Sequence, residues 1–187
     1  MAIESPKYTV IKHQGKFELR QYSGFITANV EVESDGYNNA GSQAFRYLAD
    51  YIFGNNTAQA SIAMTAPVST QRMESVKIPM TVPVNTVRSK ANKYKVSFTM
   101  PASFTMKTLP KPNSAKISIT EIDSHKIAVL KFAGYTGDEK VIEKIKELRE
   151  WCDKSNLKTI GQPILSRFDA PWKPGFIRHN EVGFKIK

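Results

Sequence analysis

Strand-like and helix-like hydrophobic patterns follow one another along this chain, and the same order occurs twice. This repeated order limits the possible folds more than any other feature of the sequence. Residues 17–32 alternate apolar and polar side chains, and residues 37–53 carry apolar side chains at helical spacing. About 100 residues later, residues 117–132 alternate again and residues 138–156 again have helical spacing. Two further strand patterns follow each helix pattern, at 62–70 and 94–100 in the first half and at 162–168 and 178–186 in the second. The order strand, strand, helix, strand, strand therefore occurs twice.

The short connections between these patterns predict how the strands pair. Links of hairpin length favour antiparallel neighbours, because parallel neighbours need a long crossover. A chain of 187 residues is long enough to bury the core of one domain. We therefore predict a single α+β domain over residues 1–187. Its pseudo-repeats, at about 8–101 and 115–187, would form one antiparallel sheet with a helix packed on each half.

A seven-residue motif also occurs twice, as IAMTAPV at 62–68 and as IPMTVPV at 78–84. Each copy has an apolar residue, Met-Thr, and then a proline followed by valine. Proline has no N–H to donate to a strand ladder, so we expect each of these strands to end or bulge at its proline. This local argument explains the shape of the motif and gives no reason for the repeated Met-Thr pair.

The cysteine content and the N-terminal segment indicate the cellular environment. The one cysteine, Cys152, excludes an intramolecular disulfide and fits a reducing cytoplasm. It lies beside Trp151 on the apolar stripe of the second helix pattern, so we expect a packed and unreactive thiol. The N-terminal MAIESPKYTV has an early acidic residue and no apolar run, and no segment of the chain has the length of apolar sequence that a membrane span needs. We predict a cytoplasmic protein without membrane insertion.

The net charge of +10 raises nucleic acid as a possible partner. The charges of the second helix pattern, however, interleave basic and acidic residues, which is typical of a solvated helix face. The sequence contains no recognition helix and no aromatic-basic RNA motif. We therefore predict no nucleic-acid binding, and we interpret the positive excess as favouring an acidic small-molecule ligand.

The first helix pattern carries more apolar surface than a helix on a sheet needs. Its sheet-facing stripe is Ala40, Ala44, Tyr47, Leu48 and Tyr51. The apolar arc continues through Phe45, Ala49 and Phe53, well beyond the roughly 100° that sheet packing requires. Two interpretations stay open: the loop at 98–112 folds over these residues as a lid, or helix and lid together form a cleft for a flat apolar ligand.

Five segments in order along the chain resemble the SOUL (haem-binding protein) family, and they span most of the sequence. They are FELRQY at 17–22, the helix end and doubled motif at 51–84, FTMP and LPKP within 98–112, AVLKFAG at 128–134, and DAPWKP to RHNEV at 169–182. The resemblance implies an open barrel that also resembles the effector-binding domains of bacterial multidrug regulators. It shows less about function, because one fold hosts many activities.

The resemblance further implies a haem or other tetrapyrrole site in a shallow cleft along the first helix, used for reversible binding in buffering or delivery. The expected floor is Phe45, Ala49 and Phe53, with Met106 in the lid and Arg46 and Lys173 for the propionates. Lys173 matches a lysine in the Pro-x-Lys-Pro segment of some members. Some members also carry histidine at the position of Gln21, and glutamine is a poor iron ligand. The metal ligand therefore stays open among Tyr22, Tyr47 and a methionine.

A second hypothesis is a stand-alone effector-binding module for lipophilic cations that uses Glu18 or Glu181 in a cleft of the sheet. We expect both carboxylates at a solvent-exposed rim, because carboxylates are rarely buried unless paired. A third possibility, an enzyme, lacks sequence support. The chain has no GxSxG elbow, no Walker or Rossmann glycine pattern, and no HExxH or CxxC spacing. We therefore predict a binding protein.

Overall fold

A computed structural model describes residues 4–58, 75–90, 92–169 and 173–187. The strands of this part of the chain are β1 Tyr8–Gln14, β2 Phe17–Tyr22, β3 Phe25–Glu33, β4 Asn56–Thr57, β5 Val84–Lys90, β6 Lys93–Thr99, β7 Lys111–Pro112, β8 Ile117–Ile122, β9 His125–Ala133, β10 Thr159–Arg167 and β11 His179–Ile186. The helices are α1 Tyr37–Ile52 and α2 Asp138–Lys154, and a 3₁₀ turn covers Gly175–Ile177.

Nine of these strands form one antiparallel sheet in the order β1-β2-β9-β11-β10-β5-β6-β3-β8. From β2 to β8, exchanging β2, β3, β5 and β6 with β8, β9, β10 and β11 respectively gives the same order read from the other end. The two halves of the chain are thus topologically equivalent about the β10–β5 pair. β2 of the first half pairs with β9 of the second half, and β8 of the second half pairs with β3 of the first. The predicted α+β class with an antiparallel sheet and two helices is confirmed. Duplication of the sequence itself stays a prediction.

The connection between β2 and β3 shows that this sheet curls. The two strands are six steps apart in the strand order, which is about 29 Å across a flat sheet. Only Ser23 and Gly24 connect Tyr22 to Phe25, and three peptide units span at most about 11 Å. The rings of Tyr22 and Phe25 lie 6.4 Å apart between centroids, and both also contact His125 at the start of β9. The sheet therefore curls into an open barrel whose two ends meet at these three rings.

Each helix packs on the outside of its own half of the barrel. α1 lies on β3, β6 and β5, and α2 lies on β11, β9 and β10. Ala40, Ala44, Leu48 and Tyr51 of the expected inner stripe of α1 are buried, whereas Tyr47 is half-buried and its hydroxyl accepts a hydrogen bond from Lys116. The Tyr51 hydroxyl donates a hydrogen bond to the Pro110 carbonyl at 2.7 Å. On α2 the thiol of Cys152 is buried, and burial raises its pKa to about 11, so the expected packed thiol is confirmed. Neither helix combines the length and apolar character that crossing a membrane would require, as far as the described residues go.

Of two strand predictions that involve the repeated motif, one stays a prediction and the other needs correction. The strand expected at 62–70 lies outside the described residues, and the sheet position beside β6 and β10 belongs to Val84–Lys90. In the second copy of the motif, the expectation that the strand ends at its proline is wrong, because β5 begins directly after Pro83. A proline immediately before a strand leaves the ladder intact, since its missing N–H is not needed there. The preceding Thr81 is instead fixed by a hydrogen bond from its buried hydroxyl to the Thr99 carbonyl.

Candidate functional site

The outer face of α1 carries the apolar residues that the sequence predicts as a binding floor. The ring of Phe45 is half-buried and lies edge-on to Phe98 of β6, with 5.5 Å between the ring centroids. Ala49 is 8% exposed, whereas Phe53, just past the last helical residue, is 61% exposed. Arg46 is exposed on the same helix and has no ion pair with another described residue. An apolar surface with one available cation therefore continues along the outside of α1.

The loop from Phe98 to Pro112 is anchored at the C-terminal end of α1. Leu109 is buried in the core, and β7 pairs with β4, which follows the helix directly. Met106 is 42% exposed and lines a cavity of about 240 Å³ together with Glu4, Phe25 and Met100. Phe45, Ala49 and Phe53 are not among the described residues that line this cavity. The structure thus holds the loop to the end of α1 through the Tyr51–Pro110 hydrogen bond and β7, and it places Met106 at a different surface.

Lys173 lies in the segment between β10 and β11. Its ammonium pairs with Asp169 at 2.7 Å. Hydrogen bonding from Lys173 is the main reason that the pKa of Asp169 is lowered, and the backbone N–H of His179 also donates to that carboxylate. No described hydrogen bond or ion pair joins Lys173 to α1. Lys173 therefore has a carboxylate partner of its own.

A second concave surface lies inside the curled sheet, on the face opposite the helices. This barrel cleft has a volume of about 190 Å³. Its lining combines aromatic, aliphatic, polar and charged side chains: Tyr22, Phe25, Asn29, Asn85, Val87, Lys95, Ser97, Ile122, His125, Ile127, Val129, Ile164, Ser166, Glu181, Gly183 and Lys185, with Pro6, Thr27, Pro83 and Val182. The second hypothesis predicted a cleft in the sheet, and its Glu181 does line this one. The other lining residues were not predicted, because they come together only when strands from both halves of the chain curl together.

A row of polar side chains crosses the barrel from strand to strand. In register the row runs Ser118, Asn29, Ser97, Asn85, Ser166, Glu181 and Lys131. The Ser97 hydroxyl donates to Asn29 Oδ1 at 2.8 Å, and the Ser166 hydroxyl donates to Asn85 Oδ1 at 2.7 Å. These two pairs of neighbours in the row therefore satisfy each other's hydrogen-bonding groups. Buried polar groups are usually accommodated in this way.

The row ends in a buried ion network around Arg20. The Arg20 guanidinium donates to both oxygens of Glu181, with Nη1–Oε2 at 2.9 Å and Nη2–Oε1 at 2.8 Å. Its Nε donates to Glu18 at 2.7 Å, and Lys131 donates to the other oxygen of Glu18. Arg20, Glu18 and Glu181 are all buried. The expectation of exposed rim carboxylates is thus wrong, because each carboxylate has a cationic partner that offsets its loss of hydration.

The network keeps both carboxylates ionised. Burial alone would raise the pKa of Glu181, but hydrogen bonds from His179 and Arg20 outweigh burial and lower it. Burial likewise opposes ionisation of Glu18, and hydrogen bonds from Lys131 and Arg20 lower its pKa. Two carboxylates and two cations therefore balance in charge. A sequence signal for this network exists, since Glu18, Arg20 and Tyr22 alternate along β2 and so share one face of the strand.

The three histidines occupy unrelated positions. His179 is 44% exposed by side chain, and its Nε2 lies 3.2 Å from Glu181 Oε1. His125 stacks on Tyr22 in the barrel cleft, with ring centroids 5.9 Å apart. Burial lowers the pKa of His125, the carbonyl of Asp123 opposes that shift, and the charge of Lys185 adds to it. His13 is exposed on the edge strand β1. None of the three lies on α1.

Comparisons with known proteins agree with this architecture. The crystal structure of the EcmrR C-terminal domain superposes with a TM-score of 0.63, covering 96% of this chain and 98% of that chain at 11% identity. A hydrolase from Listeria innocua superposes with a TM-score of 0.58, covering 95% and 94% of the two chains at 12% identity. At these identities, both likenesses show the fold alone.

Sequence comparison is more specific. Heme-binding protein 1 of Sus scrofa is 26% identical over 171 residues, which cover 91% of this chain and 84% of that protein. Heme-binding protein 1 of Mus musculus is 25% identical over 186 residues, covering 97% and 92%. The sequence model of a family described as SOUL heme-binding protein matches residues 3–185, nearly the whole length. The chain therefore belongs to the SOUL heme-binding protein family.

Proposed function

We propose that this protein binds haem or a related tetrapyrrole reversibly along the outer face of α1, for buffering or delivery. One observation carries the proposal: the apolar arc of α1 extends past its contact with the sheet and ends in Phe53, which is 61% exposed. Phe45, about two helical turns before Phe53 on the same arc, adds a half-buried ring, and contiguous apolar surface is typical of sites that bind an apolar partner. Membership of the SOUL heme-binding protein family makes a tetrapyrrole the preferred ligand.

The residues on this face fit the periphery of a tetrapyrrole better than they fit its iron. Phe45, Ala49 and Phe53 would contact the ring, and Arg46 would pair with a propionate. A bound haem would supply an iron centre for ligation and redox chemistry, but these four residues carry no imidazole, thiolate, thioether or phenolate. Burial and charge would therefore hold the ligand, which favours exchangeable binding. Lys173 contributes less to the proposal, since Asp169 already pairs with it.

The alternative, a site for lipophilic cations in the sheet, is less well supported. Such a site needs a carboxylate without a cationic partner, whereas Arg20 binds both oxygens of Glu181 and Lys131 binds Glu18. An incoming cation would have to displace a guanidinium that holds its carboxylate by two hydrogen bonds. We therefore propose a binding protein for a small acidic tetrapyrrole, without nucleic acid as a partner. A cytoplasmic location is part of the proposal and rests on the lone, buried cysteine.

A haemin titration of the purified protein, followed through the Soret band, tests the proposal. The wild type is expected to give a saturable one-to-one shift, and Phe53→Asp is expected to weaken binding at least tenfold. Ile142→Asp is a matched control, because Ile142 is a similarly exposed apolar residue, 58% exposed, on the outer face of α2. Equal affinity of wild type and Phe53→Asp would contradict the α1 site.

One change of ligand and one protein variant test whether the protein ligates the iron. Metal-free protoporphyrin IX is expected to bind within a few-fold of haemin, since the face supplies contacts to the ring and not to the iron. Gln21→His is expected to leave the Soret position unchanged, because Gln21 lies on β2 and its amide contacts Tyr22 and Ser124. A sharp, ligated spectrum in Gln21→His would move the ligand from α1 to the first strand.

A further inference from the structure

We propose that the barrel cleft is a second ligand site, selective for a small planar aromatic anion such as an aromatic carboxylate. The cleft lies inside the curled sheet, on the opposite face from the helices, so this site is separate from the outer face of α1.

The charges of the lining favour an anion. Lys95 and Lys185 both line the cleft and are half-buried, and neither has an ion pair or a hydrogen bond with another residue of the described chain. Glu31 lies opposite Lys95 in the strand register, but no ion pair joins them. The carboxylate that lines the described cleft, Glu181, is neutralised by Arg20. Two lysines without partners in a concave, partly apolar surface attract anions more strongly than they would on an open surface.

The shape of the cleft favours a flat ring of modest size. Its volume of about 190 Å³ is below the roughly 300–1,000 Å³ of pockets for drug-sized ligands, so one or two fused rings suit it better than a tetrapyrrole. Tyr22, Phe25 and His125 meet at one end, with centroids 5.9–6.4 Å apart. Val87, Ile127 and Ile164 add aliphatic wall. Aromatic and aliphatic walls with a few charged groups are the usual composition of small-molecule sites.

Gly183 lets the side chain of Ile127 pack close against the backbone of β11 in the wall of the cleft. It lies in β11 between Val182 and Phe184, and a Cβ at this position would meet Ile127 Cγ2 at 3.0 Å and Val129 Cγ2 at 3.9 Å. A side chain here would therefore project toward residues that line the cleft. The backbone at Gly183 is not in the left-handed region, so a strand-forming residue is compatible with its conformation. Substitution at Gly183 thus pushes Ile127 out of its place and narrows the cleft, without strain in the backbone conformation.

Three probes with one ring system and different charges test the proposal by isothermal titration calorimetry. They are 2-naphthoate, neutral 2-naphthamide and the 2-naphthylmethylammonium ion. We expect saturable binding of naphthoate, at least tenfold weaker binding of the ammonium ion, and intermediate binding of the amide. Lys95→Met and Lys185→Met are each expected to weaken naphthoate binding severalfold and to leave naphthamide unchanged. Lys126→Met is the matched control, because Lys126 is an exposed lysine of β9 that does not line the cleft.

A cleft-narrowing variant separates this site from the haem site. Gly183→Val is expected to abolish naphthoate binding and to leave the haemin titration unchanged, while a matched loss of haemin binding would show one shared site. The proposal is overturned if the ammonium ion binds as tightly as naphthoate, if none of the probes binds, or if Lys126→Met weakens naphthoate as much as Lys185→Met. Circular dichroism of Gly183→Val checks that the barrel is intact, and Gly183→Ala serves as a milder substitution if the valine variant does not fold.

Discussion

The carboxylate of Asp138, in the first turn of α2, accepts a hydrogen bond at 3.1 Å from the backbone N–H of Tyr37, the first residue of α1. Residues about 100 positions apart in the chain thus join the N-termini of the two helices. Gly36, at the N-cap of α1, makes no side-chain cap hydrogen bond of its own. A Cβ on Gly36 would collide with the same carboxylate. Asp138 therefore replaces the missing local cap and also places a negative charge at the positive end of the α1 dipole.

Removing this contact should destabilise the fold by a measurable amount. Asp138→Ala is expected to lower the free energy of unfolding by about 1 kcal/mol, the usual effect of losing a helix cap. Glu139→Ala is the matched control, because Glu139 is an exposed acidic residue in the same first turn of α2. Urea denaturation measures both variants. An equal loss in the two would mean that the dipole of α2 matters and the contact with Tyr37 does not.

The Arg20 network should respond strongly to removal of its central cation. Arg20→Met leaves Glu181 buried with only His179 beside it, and breaking a buried ion pair in this way costs about 3–5 kcal/mol. Arg46→Met is the control for loss of an arginine at an exposed position. The double variant Arg20→Met with Glu181→Gln should recover part of the loss, since no charge is then left without a partner. A cost below that of Arg46→Met would show that the network contributes little to stability.

The same carboxylates predict how stability depends on pH. Their pKa values are lower in the folded protein than the ordinary value of 4.5. A lowered pKa means that the folded state holds the proton less well than the unfolded state. The stabilisation is therefore complete above about pH 4.5 and is lost as the pH falls through the lower, folded pKa. Urea denaturation between pH 7 and pH 3 should show a steep loss of stability in the wild type below that point.

Glu181→Gln should flatten this acid-side slope, because it removes one of the buried carboxylates that take up a proton on unfolding. Glu121→Gln, at an exposed position of β8, should leave the slope as it is. Part of the slope persists in both variants, since the pKa values of Asp169 and Glu147 are also lowered. An unchanged slope in Glu181→Gln would show that Glu181 is not ionised and paired in the folded protein.

Sequence periodicity predicted the helices and most strands because burial alternates along them. The helix predicted at 37–53 is α1 at Tyr37–Ile52, and the pattern at 138–156 contains α2. β1 was not predicted, since all seven of its residues are exposed at the edge of the sheet and leave no alternation to detect. The curling of the sheet depends on which distant strands pair, and local spacing contains no information about that.

Site prediction was limited for the same reason. Phe45 and Phe53 could be placed on the outer arc of α1 because a helical wheel needs only local geometry. Lys173 and Met106 come from loops, whose positions relative to α1 depend on contacts such as Asp169 with Lys173. The barrel cleft takes Lys95 from β6 and Lys185 from β11, so it required the complete strand order. Glu181 was expected in solvent because its partner Arg20 lies 161 residues away in the sequence.

Cys152 gives a direct measure of the rigidity of the α2 side of the barrel. Its thiol is fully buried and burial raises its pKa to about 11, so almost none of it is thiolate at pH 8. We expect no reaction with 5,5′-dithiobis(2-nitrobenzoate) in the native protein and one thiol per chain in denaturant. Leu148→Ala should speed the native reaction, because it opens a cavity one helical turn from the thiol on the same buried stripe. Ile142→Ala, at an exposed position of α2, should leave the rate unchanged. Rapid modification of the wild type would show that α2 detaches from the sheet under native conditions, because only that opening exposes the thiol.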